Sequence, residues 1–338
     1  MKAIAYRQPQ AITAPDALVD ITLPDPIAIG HDLLVEVKAV SVNPVDTKVR
    51  RSAAPAPGQE WKVLGWDASG VVKAVGPEVT LFKPGDRVWY AGSIARPGTN
   101  SELHLVDERI VGHMPASLDF AEAAALPLTA ITAWEMLFDR LGVVPGKAPT
   151  DQALLIIGAS GGVGSILTQL ATRLTSLTVI GTASRPETQA WVRSLGAHHV
   201  IDHSKPITEE LKRIGHPTVD LIVSLTQTEQ HLPQIAEAIA PQGKFGLIDD
   251  PASLDATLFK RKAVSIHWEL MFTRSLFQTP DMIGQHRLLN EVAALVDAGL
   301  IRTTLAERFG AINAENLKRA HALIESGKAR GKVVLEGF

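Results

Sequence analysis

A glycine-rich segment is the feature of the sequence that most directly suggests chemistry. It runs Gly158-Ala159-Ser160-Gly161-Gly162-Val163-Gly164-Ser165, after an apolar stretch at 154–157 and before an apolar-periodic stretch at 166–171. Glycines let the backbone approach a pyrophosphate, whose charge the free N–H groups of the following helix bind. The order of strand, turn and helix therefore predicts a dinucleotide site, with a purely structural glycine turn as the alternative. The predicted cofactor contacts are Ser160, Gly161, Gly162, Val163 and Gly164.

The residues after the second strand of this region bear on the choice of dinucleotide. Sites for NAD place an acid roughly 20 residues beyond the glycines, where it binds the ribose 2′-hydroxyl. Here residues 184–187 read SRPE. A 2′-phosphate requires a cation and a neutral donor, which Arg185 and Ser184 would supply, so we expect NADPH. The alternatives are a solvated arginine at a helix start, or a rearranged turn that presents Glu187 to the ribose.

These residues must be positioned by alternating strands and helices. Apolar strands are predicted at 153–157, 177–180, 199–202, 219–224, 243–248 and 263–268, with amphipathic helices between most of them. This βαβ alternation predicts a doubly wound parallel sheet, and hence the α/β class.

The first part of the chain, to about residue 115, has a different sequence pattern. Short strands at 33–40, 70–76 and 83–90 lie between Gly/Pro turns, which is typical of an antiparallel, barrel-like β domain. Asp119 and Glu122 form a capping-box pattern that predicts one helix over 121–142. The tail around Lys332 returns to a strand, which we expect to pack on the first domain.

The composition limits the class of partner. A chain of 338 residues with 46% hydrophobic content is expected to form two domains. A net charge of -3, with acids and bases interspersed, disfavours nucleic acids and membrane surfaces and favours a small molecule. The absence of cysteine excludes disulfides, thiolate nucleophiles and cysteine-ligated zinc. The N-terminal MKAIAYRQPQ lacks an apolar signal segment, so a cytoplasmic protein is expected.

Six segments together carry a family resemblance: SVNPVDTKVR, GWDASGVVKAVG, GDRVWYAG, AAALPLTAITAW, GASGGVGS and GKARGKVVL. Over essentially its whole length, the chain resembles the zinc-independent branch of the medium-chain dehydrogenase/reductases. It is most similar there to NADPH:quinone oxidoreductase-like (zinc-type alcohol dehydrogenase-like) proteins. The resemblance implies a GroES-like catalytic domain from residues 1–121 and 275–338, a Rossmann domain from residues 122–274, and an active site in the cleft.

The metal ligands of zinc-dependent relatives are missing. Those relatives use a cysteine in the segment matching residues 41–46 and a histidine matching Trp66, and their structural zinc lobe matches residues 91–103. The adjacent histidines His198, His199 and His203 lack the spacing of separated zinc ligands. We therefore expect no bound metal. Trp66 is expected to pack in the core, or alternatively to line the cleft.

The resemblance also implies roles for three residues of the catalytic domain. Asn43 and Asp46 in SVNPVD, and Thr129 in LPLTA, fall where family members approach the nicotinamide and the substrate. Asn43 and Thr129 are, together with Tyr90, the predicted catalytic positions. The alternatives are turn capping for Asn43 and Asp46, and a bond to the helix backbone for Thr129.

Three further residues are candidates. Tyr90 in WYAG is expected at a pocket wall, where it could donate a proton or a hydrogen bond. His203 occupies a position where relatives often carry a tyrosine that contacts the ribose-phosphate end of the cofactor. Lys332 in GKVVL is a candidate cofactor contact, with a solvated lysine as the alternative.

The expected activity follows from the missing metal. Without a Lewis acid to polarise the substrate oxygen, alcohol oxidation is disfavoured. Hydride transfer to a quinone or a related activated carbonyl needs only positioned hydrogen-bond donors and a pocket that excludes water. We predict an NADPH-dependent, metal-free oxidoreductase of such substrates. The alternatives are an enoyl or alkenal double-bond reductase, and a nucleotide-binding regulatory protein with little turnover. The segment 267–272 predicts a homodimer, with core burial as its alternative.

Overall fold

The computed structural model describes all residues, Met1–Phe338, and divides them into two compact units. The first unit comprises Met1–Ile131 and Phe272–Phe338, and the second comprises Thr132–Met271. The strands are β1 Lys2–Tyr6, β2 Val19–Thr22, β3 Asp32–Val42, β4 Lys62–Val63, β5 Ala68–Val75, β6 Arg87–Tyr90, β7 Leu103–Asp107, β8 Val111–His113, β9 Ala153–Ile157, β10 Thr178–Thr182, β11 His199–Ile201, β12 Val219–Ser224, β13 Ile239–Leu247, β14 Ser265–Trp268, β15 Leu305–Arg308 and β16 Lys332–Glu336.

The chain also contains ten α-helices and three helical segments of other types. The α-helices are α1 Pro44–Ser52, α2 Phe120–Ala124, α3 Pro127–Trp134, α4 Gly162–Leu174, α5 Pro186–Ser194, α6 Ile207–Arg213, α7 Thr228–Ala238, α8 Thr273–Phe277, α9 Gly284–Asp297 and α10 Ala314–Glu325. Two 3₁₀ segments, Glu108–Ile110 and Ala256–Lys262, and a π-helical segment, Glu135–Arg140, complete the set. None of these helices has the length and apolar character that crossing a bilayer requires.

The second unit is built on one six-stranded sheet. Its strand order is β11-β10-β9-β12-β13-β14, and every neighbouring pair is parallel. This is the order of a doubly wound sheet whose direction of winding reverses between β9 and β12. The central strand β9 is buried along its whole length, which explains its uniformly apolar sequence ALLII. The predicted Rossmann-type sheet is confirmed.

The first unit contains a seven-stranded sheet and a three-stranded sheet, with β3 paired to β5, β7 and β16. All its strand pairs are antiparallel except β15 with β16. Val333 of β16 lies opposite Val42 of β3, so the C-terminal strand does return to the first unit, as predicted. The predicted β-rich GroES-like domain is also confirmed.

The helix predicted over 121–142 is interrupted. The capping box of Asp119 and Glu122 forms as predicted, but α2 ends at Ala124 and α3 begins at Pro127. Proline lacks the N–H that would continue the ladder of a preceding helix. The segment up to Ile131 belongs to the first unit because its groups bond there, as the Phe120 carbonyl does with Ser69 Oγ. The division therefore falls after residue 131 rather than after residue 121.

Candidate functional site

The glycine turn joins the central strand β9 of the second unit to helix α4. Gly158 has φ +84°, a left-handed conformation that favours glycine. A Cβ added to Gly164 would lie 2.4 Å from the Gly158 carbonyl oxygen and 2.6 Å from Ala159 Cα. Only glycine therefore lets the first turn of α4 pack this tightly against the strand end.

The outer side of the turn is open. A Cβ added to Gly161 would contact only the Gly158 oxygen, at 3.5 Å, and residues 160–163 are partly exposed. The first N–H groups of a helix have no partner within it, and the first turn of α4 carries no acidic residue. These residues fit a pyrophosphate, whose charge the helix N-terminus would stabilise.

Two side-chain bonds hold the turn in place. The Gly158 N–H donates to Thr182 Oγ1 of β10 at 3.1 Å, and the Trp191 indole N–H donates to Ser165 Oγ at 2.8 Å. Thr182 and Ser165 are both completely buried. The turn is therefore anchored to β10 and to α5 before any ligand binds.

The residues predicted to choose the dinucleotide follow β10 directly. Ser184 and Arg185 are partly exposed, and Arg185 is the N-cap residue of α5. Arg185 Nε lies 3.2 Å from Glu187 Oε1, and the two side chains are 40% and 56% exposed. Arg185 thus lies at the strand end where the sequence predicts a cation. Glu187, the carboxylate of the alternative interpretation, is paired with it.

His203 follows β11 and lies beside a histidine that sequence analysis did not single out. The ring centroids of His203 and His231 are 6.4 Å apart, and Nδ1 of each is buried without a hydrogen-bond partner. Burial lowers the pKa of both rings, which favours their neutral form. No local pattern distinguishes His231, which reaches His203 only because α7 packs beside the sheet.

The first unit contains a buried group of charged and polar side chains, which we call the Lys332 cluster: Asn43, Asp46, Asp67 and Lys332. The Lys332 ammonium donates to Val42 O at 3.1 Å, to Asp67 Oδ2 at 3.0 Å and to Asn43 Oδ1. Its side chain is only 3% exposed, so the alternative of a solvated lysine is wrong.

Asn43 and Asp46 form the start of α1. The Asn43 N–H donates to Asp46 Oδ2 at 2.7 Å, and the Gly65 N–H donates to Asp46 Oδ1 at 3.0 Å. The turn-capping alternative is therefore confirmed for Asp46, whereas Asn43 is the N-cap residue by its backbone and its side chain bonds to Lys332, Asp67 and the Trp66 carbonyl. Burial raises the pKa of Asp46 to about 7, against the opposing effects of the Asn43 N–H and Lys332. Their predicted approach to the nicotinamide stays a prediction.

Thr129 lies in α3 and is nearly fully buried. Its Oγ1 donates to the Leu126 carbonyl at 3.0 Å, as the backbone-bonding alternative predicted. The preceding Leu128 N–H donates to Asp67 Oδ1 at 2.8 Å, so the N-terminus of α3 is attached to the Lys332 cluster. Thr129 and Asn43 thus belong to one connected group of the first unit.

Tyr90 does not lie at a pocket wall, because strand β6 is buried on both faces where it crosses the sheet. The tyrosine is completely buried, and its ring stacks on His104. His104 Nε2 lies 2.9 Å from the Pro97 carbonyl and must donate to it, so Nδ1 accepts the Tyr90 hydroxyl at 3.1 Å. Burial raises the pKa of Tyr90, which opposes loss of its proton. The predicted location of Tyr90 is therefore corrected.

Trp66 packs in the core, as expected. It is 1% exposed, its indole N–H donates to Ser93 O at 3.2 Å, and its ring meets Phe272 edge-on. No group of three or more His, Cys, Asp or Glu side chains is arranged to hold a metal ion. His198 Nδ1 instead accepts the Val179 N–H at 2.9 Å. The donor groups present do not fit a zinc site.

Comparisons with known proteins cover nearly the whole chain. Residues 30–127 match the alcohol dehydrogenase GroES-like domain, and residues 195–335 match the zinc-binding dehydrogenase domain. A zinc-type alcohol dehydrogenase-like protein of Staphylococcus aureus is 38% identical over 337 residues, or 99% of each chain. A human mitochondrial NAD(P)H oxidoreductase is 30% identical over 333 residues, which cover 90% of this chain and 81% of the human one.

Solved structures agree with these matches. A zinc-dependent alcohol dehydrogenase candidate from Rhizobium etli has a TM-score of 0.95 and 64% identity, and covers 100% of this chain and 98% of its own. A quinone oxidoreductase of Pseudomonas syringae has a TM-score of 0.83 and 25% identity over 99% of each chain. The Escherichia coli quinone oxidoreductase solved with NADPH, at 23% identity and a TM-score of 0.84 over 99% of this chain and 100% of its own, shows the same fold.

Proposed function

The chain belongs to the medium-chain dehydrogenase/reductase family of oxidoreductases, and on that basis we propose that it is a metal-free reductase that transfers hydride from NADPH to a quinone or a related activated carbonyl. Members of this family bind nicotinamide cofactors. The choice of NADPH, the absence of a metal and the class of acceptor are the proposed parts.

One observation carries the proposal. The second unit presents an open glycine turn at the end of β9, and a serine and an arginine at the end of the adjacent β10. The first element fits a pyrophosphate, and the second fits a 2′-phosphate better than a bare ribose diol, because no acid follows β10 before Glu187. When bound, NADPH would supply the hydride.

The donor groups of the first unit support chemistry without a Lewis acid. The position that a zinc ligand occupies in relatives holds Trp66, whose indole N–H is bonded to Ser93 O and cannot coordinate a cation. The chain contains no thiolate. A conjugated carbonyl accepts hydride by delocalising charge onto an oxygen, which hydrogen bonds alone can stabilise.

Thr129 and Asn43 of the first unit would help to position the reactants rather than transfer a proton. The hydroxyl of Thr129 and the amide of Asn43 are bonded to the protein itself, so we assign them the task of forming a dry, rigid surface beside the nicotinamide. Rigid positioning of the reactants lowers the barrier without a catalytic base.

The experiment is a steady-state measurement of NADPH oxidation with a panel of quinones and a panel of enals and enones. We expect quinones to give the higher kcat/KM. Faster reduction of enals would favour the double-bond reductase. Binding of NADPH without turnover on either panel would favour a regulatory protein, and would refute the proposed reaction.

We also propose that the protein is a homodimer joined through β14. This strand is the last of the parallel sheet, so one side of its backbone lacks a strand partner; Trp268 at its end and Leu270 just after it are each 52% exposed. Trp268→Glu should shift the mass measured by light scattering from dimer to monomer. Val144→Glu, at another exposed apolar residue of the second unit, is the control. A monomeric parent protein at micromolar concentration would refute the proposal.

A further inference from the structure

Lys332 is the one lysine among the buried residues of the chain. Burying an ammonium group is costly unless it is paired and its protons are bonded. An ammonium has three protons, and the structure gives Lys332 three oxygen acceptors, on Val42, Asn43 and Asp67. No donor remains for a cofactor atom, so the sequence-based assignment of Lys332 as a cofactor contact does not account for its position.

Asp67 connects Lys332 to the other parts of the cluster. Its carboxylate is completely buried, and it accepts from Leu128 N at 2.8 Å, from Asn43 Nδ2 at 2.9 Å and from Lys332 Nζ at 3.0 Å. These donors come from the start of α3, the loop before α1 and strand β16. One ion pair therefore joins segments that are far apart in sequence.

The same pair determines which way the Asn43 amide faces. Its oxygen accepts from the Lys332 ammonium, while its nitrogen donates to Asp67 Oδ2 and, at 3.3 Å, to the Trp66 carbonyl. A flipped amide would place its NH₂ group against the ammonium and its oxygen against the carboxylate. The orientation of Asn43 thus depends on both charges being present.

We propose that Lys332 is a positioning residue, which acts through Asp67 and Asn43 to hold the start of α3, and with it Thr129, in the arrangement needed for hydride transfer. This inference rests on the proposed function for its catalytic consequence. The structural link between Lys332, Asp67 and Leu128 does not depend on that function.

Kinetics of Lys332→Met distinguish positioning from cofactor contact. We expect kcat to fall on the order of tenfold to a hundredfold, as for a misplaced reacting group, with KM for NADPH within twofold of the parent value. The control is Lys73→Met. Lys73 is an exposed lysine on β5 of the same unit, and its ammonium lies 3.2 Å from the Glu36 carboxylate on β3. Its replacement should change neither kcat nor KM. A raised KM for NADPH with unchanged kcat would overturn the proposal, and so would parent-like kinetics.

The pH dependence of thermal stability gives a second readout. Burial raises the pKa of Asp67, and Lys332 opposes this rise; Asp46 is the other titratable group that acts on the pair. Without the Lys332 ammonium, protonated Asp67 should cost the fold little stability. Ionised Asp67 would be an uncompensated buried charge and should destabilise the fold. The Tm of Lys332→Met should therefore fall by roughly 5–10 °C relative to the parent at alkaline pH, and by less at mildly acidic pH. A deficit that does not change with pH would contradict this.

A double variant keeps the test informative in every case. Asp67→Asn combined with Lys332→Met removes both charges, so its Tm deficit should not grow with pH, yet its kcat should remain low because the Asn43 orientation is lost. Recovery of kcat in the double variant would overturn the proposal. If Lys332→Met does not fold, Lys332→Arg keeps the charge but not the geometry of the ammonium, and we expect a folded protein whose KM for NADPH matches the parent and whose kcat lies between those of the parent and of Asp67→Asn; a raised KM for NADPH, or parent kcat in Asp67→Asn, would refute positioning. If the parent protein reduces no acceptor, the proposed function fails, while the Tm comparison still tests the link.

Discussion

Arg185 should determine the preference for NADPH over NADH, and the size of the effect can be worked out from its surroundings. If Arg185 binds the 2′-phosphate as proposed, replacing it with Ala removes one charge-assisted contact, worth about 1.5–3 kcal/mol. At about 1.4 kcal/mol per factor of ten, the ratio of kcat/KM for NADPH to that for NADH should drop roughly ten- to a hundredfold.

Glu187 competes for the same guanidinium. The pair is separated by 3.2 Å and both side chains are substantially exposed, so the ion pair contributes only about 0.2–1 kcal/mol. A phosphate can therefore displace the carboxylate with most of its own contact energy retained. Glu187→Gln should raise the NADPH preference by up to about fivefold, because the arginine no longer has to exchange one anion for another. The gain should shrink at high salt.

The assay is kcat/KM for both cofactors with one fixed acceptor, in the parent, Arg185→Ala and Glu187→Gln. Arg193→Ala is the matched control, since it removes the same charge from the last turn of the same helix α5. Equal use of NADH by the parent, or full retention of the preference in Arg185→Ala, would refute the assignment of the 2′-phosphate to this strand end.

Three other outcomes are expected. Activity should survive exhaustive chelation, because Trp66 cannot act as a ligand and no thiolate exists; a rate lost to chelator and restored by zinc would contradict this. Thr129→Val removes the bond to the Leu126 carbonyl that fixes the side chain at the start of α3, so kcat/KM should fall roughly tenfold through poorer positioning, while Thr129→Ser keeps that bond and should stay near the parent rate; equal rates in all three proteins would show that this bond does not contribute to turnover. Burial lowers the pKa of His321 to about 3 from about 6.5 when unfolded, so stability should fall as pH drops from 6.5 toward 3, by about 1.4 kcal/mol per pH unit from this residue. His321→Leu should flatten that slope without loss at neutral pH, since both ring nitrogens lack partners; an unchanged acid slope in urea titrations would show that other groups cause it.

The second unit was largely predictable because its signals are local. A run of five apolar residues, a glycine at a left-handed turn and an amphipathic helix follow one another in β9 and α4, and each is recognisable without its neighbours. The strand ends of a parallel sheet lie on one edge, so the position of Ser184 and Arg185 followed from the strand alone. His231 was missed because its approach to His203 depends on how α7 packs.

The first unit was less predictable because its polar residues depend on distant partners. Tyr90 lies in a strand whose two faces are both buried, and the alternation that would separate a pocket face from a core face is absent there. Lys332 begins the strand β16 and is followed by three apolar residues, which indicates burial, but nothing in the local sequence identifies Asp67 and Asn43 as its acceptors. Pro127 by itself indicates a break in the helix. The sequence does not show the consequence of that break, which is that the Leu128 N–H donates to Asp67.

Arg185 and Lys332 show why a cation close to a strand end cannot be assigned a ligand from its sequence position alone. Both were expected to contact the cofactor, yet their ion pairs differ in burial. The Arg185 pair is exposed and involves one carboxylate that water or a phosphate can replace at a cost below about 1 kcal/mol. The Lys332 pair is buried, and separating it would leave Asp67 as an uncompensated charge, at a cost of about 3–5 kcal/mol. A cofactor phosphate can recruit the first cation and not the second, so we expect substitutions of Arg185 to change cofactor preference and substitutions of Lys332 to change kcat.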